Sequence, residues 1–493
     1  MVLPDNRSAR PGASIHVDDR PARRRQGRSL VALLAMGWLA LAAACPVVAA
    51  DPVAVAQTRD HDVPGVREAQ FAADYWIKRV RNADRLIFDG DGVATQNAVM
   101  QRLDGSIHDL DALPVTLEAE QVQAWIDAVS SRPTRTLYDE AGKEGSSRAI
   151  DKLITALDLR ALPQTQVTRF GMVVHRADLR AFPTHLRVFS APGDNDIDRF
   201  QESALFPGTP VAVVHESRDR NWYFVVSQTY AAWVEKKHIA LGEREAVLGY
   251  ARKAPFLVVT GATARTVFNP EHADVSEVQL DMGVRLPLAD WPADQPLHGQ
   301  HPYAGHAVVL PTRQKDGSLA FVPALIPRSA DVNLGYLPLT KEHLLRQAFK
   351  FLGERYGWGH AYNARDCSGF VSEIYRSFGL LLPRNTSAQA VSPALNRIVV
   401  DDSVSHAQRL KLLREAQVGD LIYIPGHVMM VIGQENGDTY VIHDTAGMNY
   451  RNAAGEFKRL ALNGVVVTPV LPMLANAEQQ TVDRITSIQR IRP

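Results

Sequence analysis

Residues 356–375, YGWGHAYNARDCSGFVSEIY, contain one of the two cysteines in a chain of 493 residues. The stretch divides at Asp366. Before it run glycines and aromatics without periodicity. After it, Phe370, Val371, Ile374 and Phe378 fall on one helical face, which Gly379 ends. Cys367 is therefore expected in the first turn of a helix. Unpaired N–H groups and the helix dipole at that position favour a thiolate.

Upstream, TKEHLLRQAFKFLG (340–353) places Leu344, Leu345, Ala348 and Leu352 on a second helical face, with Thr340 as cap and Gly353 as stop. Downstream lie the strand candidates DLIYI, HVMMVIG, YVIH and GVVV. Helices followed by antiparallel-looking strands predict an α+β domain over 339–475, with 476–493 as a C-terminal tail.

A thiolate that attacks an amide carbonyl needs a base to hold its proton and return it to the leaving amine. His427 follows a Pro-Gly turn at the start of a strand, where a side chain is held rigidly. His443 closes the next strand and could orient the ring of His427, a role Asp444 could also fill. The pattern alone leaves open that Cys367 is a small buried hydrophobe and the histidines are merely satisfied. One cysteine and dispersed histidines lack the close ligand pair of a zinc site, so no metal or organic cofactor is expected. Acidic and basic residues balance at 54 each, so nothing in the charge balance points to nucleic acid, which normally needs a basic stripe.

The length predicts three or four domains. Arg23, Arg24, Arg25 and Arg28 precede SLVALLAMGWLALAAA, then CPVVAADPV. A basic flank, an apolar run and a small-residue exit describe an export signal over 1–50. Cleavage after Ala50 competes with a lipoprotein-like exit at Cys45, which would be lipid-anchored. Either exit leaves Cys367 as the single free thiol. Residues 51–165 read as a helical domain, on the spacing of Trp76, Ile77 and Val80 and of Val122, Trp125, Ile126 and Val129. Short Val-rich and aromatic runs then predict two small all-β modules, over 166–245 and 246–338, the first with a hairpin turn at SRDRN.

Three segments in order, RYGWGHAYNARDCSGFVSEIY, LLPRNTSAQA and VGDLIYIPGHVMMVIG, resemble the core of NlpC-type papain-like cysteine peptidases, which hydrolyse bacterial cell-wall peptides. GMVVHRADLRAFPT and DRFQESALFPGTPVAVVHESRDRNWYFV resemble the first SH3-like domain of the family's multi-domain branch, in which a helical segment and two SH3-like barrels precede the peptidase. The resemblance implies Cys367 as nucleophile, His427 as base and His443 as orienting group. It places Tyr356 near the thiol, Trp358 in the cleft wall, Asp366 and Ser368 against the substrate amine, and Asn385 and Thr386 on its backbone. Tyr230 would be lent to the cleft by the first barrel, with Trp233 in that barrel's core.

The expected reaction is hydrolysis of the γ-D-glutamyl–diamino acid bond of stem peptides, preferring a free N-terminal L-Ala, in an exported, periplasmic protein. The competing readings are a non-catalytic wall-binding protein and an acyltransferase or amidase. Two positions depart from the family pattern. His360 stands where a second Gly is usual, and Thr209 follows Gly208 where the branch often has an acid; Glu202 could substitute for that acid.

Overall fold

The Cys367 helix, Cys367–Arg376, lies across a six-stranded antiparallel sheet in a computed structural model that describes residues 63–492. The export-signal reading, with Cys45, falls outside those residues. Phe370, Val371 and Ile374 are buried with Val428, Met430, Ile442 and Val465 of the sheet. Helix and strand periods thus meet in one core. Thr340 caps the helix Lys341–Phe349 by accepting from the His343 N–H, and Gly353 and Gly379 both take positive φ just beyond their helices.

The sheet runs in the order Asn396–Val399, Ser487–Arg490, Leu421–Ile424, His427–Glu435, Asp438–Thr445 and Gly464–Pro469. The last residues, expected as a tail, supply its second strand. Ser487–Arg490 pairs with Asn396–Val399 on one side and Leu421–Ile424 on the other.

The first all-β module is a seven-stranded antiparallel sheet running from Arg169–Val173 to Ile239–Gly242. Its hairpin turns between Pro210–Glu216 and Trp222–Val226, around SRDRN. Trp233 is fully buried against Phe224 and donates its indole N–H to Ser130. The second module has three small sheets, of which Gly305–Arg313 paired with Leu319–Pro327 is the longest.

The helical segment has no core of its own. Trp76, Val93, Met100 and Ile107 pack into the core of the Cys367 helix. Val122, Ile126, Leu153 and Leu157 pack instead with Phe224 and Trp233 of the first barrel. The stretch around Trp76 is helical only over Ala73–Ile77. Asn82 then takes φ of 50°, and Leu86–Phe88 becomes a strand paired with Leu339–Thr340. Trp76 lies on the sheet where Gly433 leaves room, since a Cβ there would stand 2.7 Å from its ring. The ring is tilted against Tyr440 at 5.0 Å.

Candidate active site

Asp366 is the N-cap of the Cys367 helix, and its side chain accepts from the Gly369 N–H at 2.8 Å. Cys367 is the first helical residue, 5% exposed. Its Sγ lies 3.6 Å from Thr386 Oγ1, and the residue is buried in one cluster with Val428, the neighbour of His427. His427 and His443 sit on adjacent strands with Nε2 and Nδ1 2.7 Å apart. Behind them His443 Nε2 lies 2.9 Å from Thr468 Oγ1, whose hydroxyl donates to Met473 Sδ. That last donation leaves the threonine oxygen to accept from His443 Nε2–H. His443 Nδ1 then accepts from His427 Nε2–H, and His427 Nδ1 keeps its lone pair.

The expected gain in thiolate character is outweighed. Burial, and then the neighbouring Asp366 carboxylate, push the Cys367 thiol up to about 12. Burial holds His427 down at about 4 and His443 well below its ordinary value. The resting pair is therefore thiol and neutral imidazole. Asp444 does not orient either ring. It is wholly buried, and both its oxygens lack a hydrogen-bond partner among the described residues; burial pushes its carboxyl up to about 9.

Asp366 and Ser368 are already occupied. Against the effect of burial, Arg384 holds Asp366 down at about 2, with Nη2 2.8 Å from Oδ2 and Nη1 3.1 Å from Oδ1. The Gly359 N–H and the Ser368 hydroxyl also donate to Asp366, and Arg384 Nη1 donates to Ser368 Oγ. With the Gly369 N–H, the Asp366 carboxylate thus accepts five hydrogen bonds, so both its oxygens are engaged before any substrate ammonium arrives. Glu202 of the first barrel is open to that role: it accepts from the Tyr230 hydroxyl beside Asn385, and burial raises its carboxyl. Tyr356 is buried close to Cys367, where burial and then the nearby Asp366 carboxylate raise its phenol far above the ordinary value. Trp358 donates to the Gln201 carbonyl at 3.1 Å, which ties the cleft wall to the barrel. Among the described residues no group of three or more His, Cys, Asp or Glu is arranged to hold a metal ion.

Residues 353–466 match the NlpC/P60 family, and residues 187–235 match the SH3 domain of the SH3b1 type. The chain carries an NlpC/P60 domain. It is 28% identical over 261 residues, 48% of this chain, to a gamma-D-glutamyl-L-lysine dipeptidyl-peptidase of Bacillus cereus. Over 118 residues, 23% of this chain, it is 32% identical to a probable endopeptidase p60 of Listeria seeligeri. These matches span 66% and 19% of the two relatives. A solved NlpC/P60 endopeptidase from Photobacterium damselae subsp. piscicida superposes with a TM-score of 0.66 at 20% identity, covering 80% of this chain and 90% of that one. The likeness confirms the papain-like α+β fold with its SH3-like module.

Within the NlpC/P60 domain, sequence reading passed over Arg384 and gave His360 no role. Arg384 Nη2 donates to His360 Nδ1 at 2.8 Å, so Nε2 carries the proton and donates to Glu373 at 3.0 Å. His360 holds φ of 64°, and its ring lies over Gly369, where a Cβ would come within 2.4 Å of Cε1. Glu373 continues to the buried Arg365, which reaches Asp281 of the second barrel at 3.1 Å. The signal for Arg384 was the LPRN segment itself: an arginine between Pro and Asn that no helical or strand face demands.

Proposed function

We propose that the protein is a cell-wall peptide hydrolase that cleaves the γ-D-glutamyl–diamino acid bond of stem peptides through a thioester on Cys367. The observation that carries this reading is the 2.7 Å contact between His427 and His443, with Val428, the neighbour of His427, packed in one core with Cys367. In this mechanism His427 Nδ1 takes the thiol proton as sulfur attacks the γ-carbonyl carbon. The N–H groups of Cys367 and Ser368 belong to the helix turn that lacks intrahelical acceptors, so they are the donors available to the oxyanion. Collapse returns the proton from His427 to the leaving amine. Water, deprotonated by the same nitrogen, then releases the glutamyl carboxylate. The high thiol pKa makes this concerted base catalysis rather than attack by a preformed thiolate.

Glu202 and Tyr230 are the residues proposed to receive the free amine of L-Ala, in place of Asp366. Asn385 and Thr386 are proposed to contact substrate backbone, and Tyr356 and Trp358 to wall the cleft. Export to the periplasm belongs to the same reading; no helix among the described residues is long and apolar enough to cross a membrane.

The deciding experiment is mass analysis of products from a defined muropeptide. A free diamino-acid fragment, absent with Cys367→Ala, is the expected result. Undiminished cleavage by that variant would remove Cys367 as nucleophile. Transfer of the acyl group to an added amine, with no hydrolysis in water, would make the protein an acyltransferase.

A further inference from the structure

Residues 357–365, the loop that leads into the Asp366 cap, follow a path that most side chains resist. Gly359, His360, Tyr362 and Asn363 take φ of 58°, 64°, 58° and 60°, with Ala361 extended between them. His360, Tyr362 and Asn363 each carry a Cβ, and a left-handed φ strains the backbone of such residues. A run of this kind persists only where its surroundings over-determine it.

The loop's own hydrogen bonds close its turns. The Gly357 N–H donates to the Arg365 carbonyl at 2.6 Å, His360 to Gly357 at 3.0 Å and Ala364 to Ala361 at 3.0 Å. The carbonyls of Gly359, His360 and Ala364 are met from the first barrel. Gln201 Nε2 donates to Gly359 at 2.9 Å, and Arg176 Nη2 donates both to His360 at 3.0 Å and to Ala364 at 2.9 Å. From the second barrel Gln279 exchanges two bonds of 2.8 Å with the Asn363 amide, but that pair is exposed to water.

Arg176 is largely buried between the strands Arg169–Val173 and Ala177–Arg180, and its Nε stands 3.5 Å from an Asp281 oxygen of the second barrel. One side chain thus touches both barrels and takes one carbonyl inside the left-handed run and one just beyond it. The loop in turn carries the surroundings of the nucleophile. Tyr356 and Trp358 stand at its start. The Gly359 N–H donates to Asp366 at 3.0 Å, and His360 Nδ1 accepts from Arg384, which also holds Asp366 and Ser368.

We infer that Arg176 is a positioning residue for Cys367. By fixing the His360 and Ala364 carbonyls it holds the loop in its left-handed path, and through the loop it holds the cleft wall and the Asp366 cap. For turnover this rests on the peptidase reading; for the hold on the loop it does not. Asp281 also pairs with Arg365 at 3.1 Å, so replacing Arg176 orphans no carboxylate.

The test compares the wild-type full chain with Arg176→Gln and Arg176→Lys. It measures steady-state hydrolysis of one muropeptide, the rate of iodoacetamide labelling mapped to Cys367, and the melting temperature. Arg176→Gln should lower kcat about ten- to a hundred-fold with KM little changed, because a misplaced site loses rate rather than ground-state binding. Labelling of Cys367, 5% exposed in the native fold, should become several-fold faster while Tm changes little. Arg176→Lys keeps a cation that can donate to both carbonyls, and should recover much of kcat and the slow labelling. Unchanged kcat and labelling in Arg176→Gln, a change in KM alone, or loss of fold without recovery by lysine would overturn the proposal. Absence of hydrolysis by the wild type would instead remove the peptidase reading, and the labelling rates would still decide whether Arg176 holds the loop.

Discussion

At the scale of the residue, the decisive feature is the chain of tautomers from Thr468 to His427. Thr468→Val removes the acceptor of His443 Nε2–H and frees that ring to take the wrong tautomer. We expect kcat to fall about ten-fold with KM unchanged, because only proton transfer is affected. His443→Gln should cost less than His427→Ala, which removes the base itself; steady-state kinetics on one muropeptide rank the three. Asp444 yields a prediction about stability. Its carboxyl is raised to about 9 in the fold, so between roughly pH 4 and 9 the native state holds a proton that the unfolded chain has released. That contribution destabilises the protein progressively as pH rises through this window. Asp444→Asn should therefore raise Tm at pH 8 and change it little at pH 4, with an upper bound of about 4 kcal/mol at neutrality. A lower Tm at pH 8 would mean that the carboxylate is ionised and paired.

At the scale of the element, the Cys367 helix explains why a glycine follows the Asp-Cys-Ser run. The His360 ring occupies the space that a Cβ on Gly369 would fill. Gly369→Ala should cost about 1–3 kcal/mol by overpacking and loosen the Arg384 clamp on Asp366; a thermal melt measures the first and a mapped thiol-alkylation rate the second. A helix with Cys367 in its first turn was legible because its apolar face and its Gly stop are periodic signals. So were Thr340 as a cap and the four strands around the two histidines. The strand Ser487–Arg490 was not legible. SIQR has no alternation of its own, and it is buried because two partners, around residues 398 and 422, flank it. The occupied state of Asp366 was also hidden, since an ion pair between residues 366 and 384 follows no period. The helix terminus that favours a thiolate is local and visible in sequence, whereas the burial that raises the thiol is tertiary.

At the scale of the whole molecule, the first barrel is bonded to the NlpC/P60 domain through Gln201, which donates to the Gly359 carbonyl, and Ser203, which accepts from Arg384. If Glu202 receives the L-Ala amine, L-Ala-γ-D-Glu-diaminopimelate should be cleaved about ten- to a hundred-fold faster than its N-acetylated form. Glu202→Gln should shrink that ratio, and equal rates with the native protein would exclude amine recognition. The helical segment acts on the core from the opposite end. Trp76→Ala empties a site in the NlpC/P60 core and should cost about 3–5 kcal/mol, read by denaturant unfolding. The spacing of apolar residues marks 51–165 as helical, but the division of the described part between two cores depends on partners far along the chain.

The seat of Trp76 at Gly433 also bears on the order in which the chain can fold. The indole is made early and its partner more than 350 positions later, so the contact closes one of the longest loops in the molecule. Until then Trp76, Met100 and Ile107 have no surface to cover them, however well the barrels between have formed. The last strand, Ser487–Arg490, enters the same sheet from the far end of the chain. The core around the Cys367 helix is therefore complete only when Trp76 and the late strand are both in place, a topology of high contact order that folds slowly. An assembly of this kind suits a protein whose whole length is released before it folds, and it leaves partly made chains exposed to chaperones and proteases.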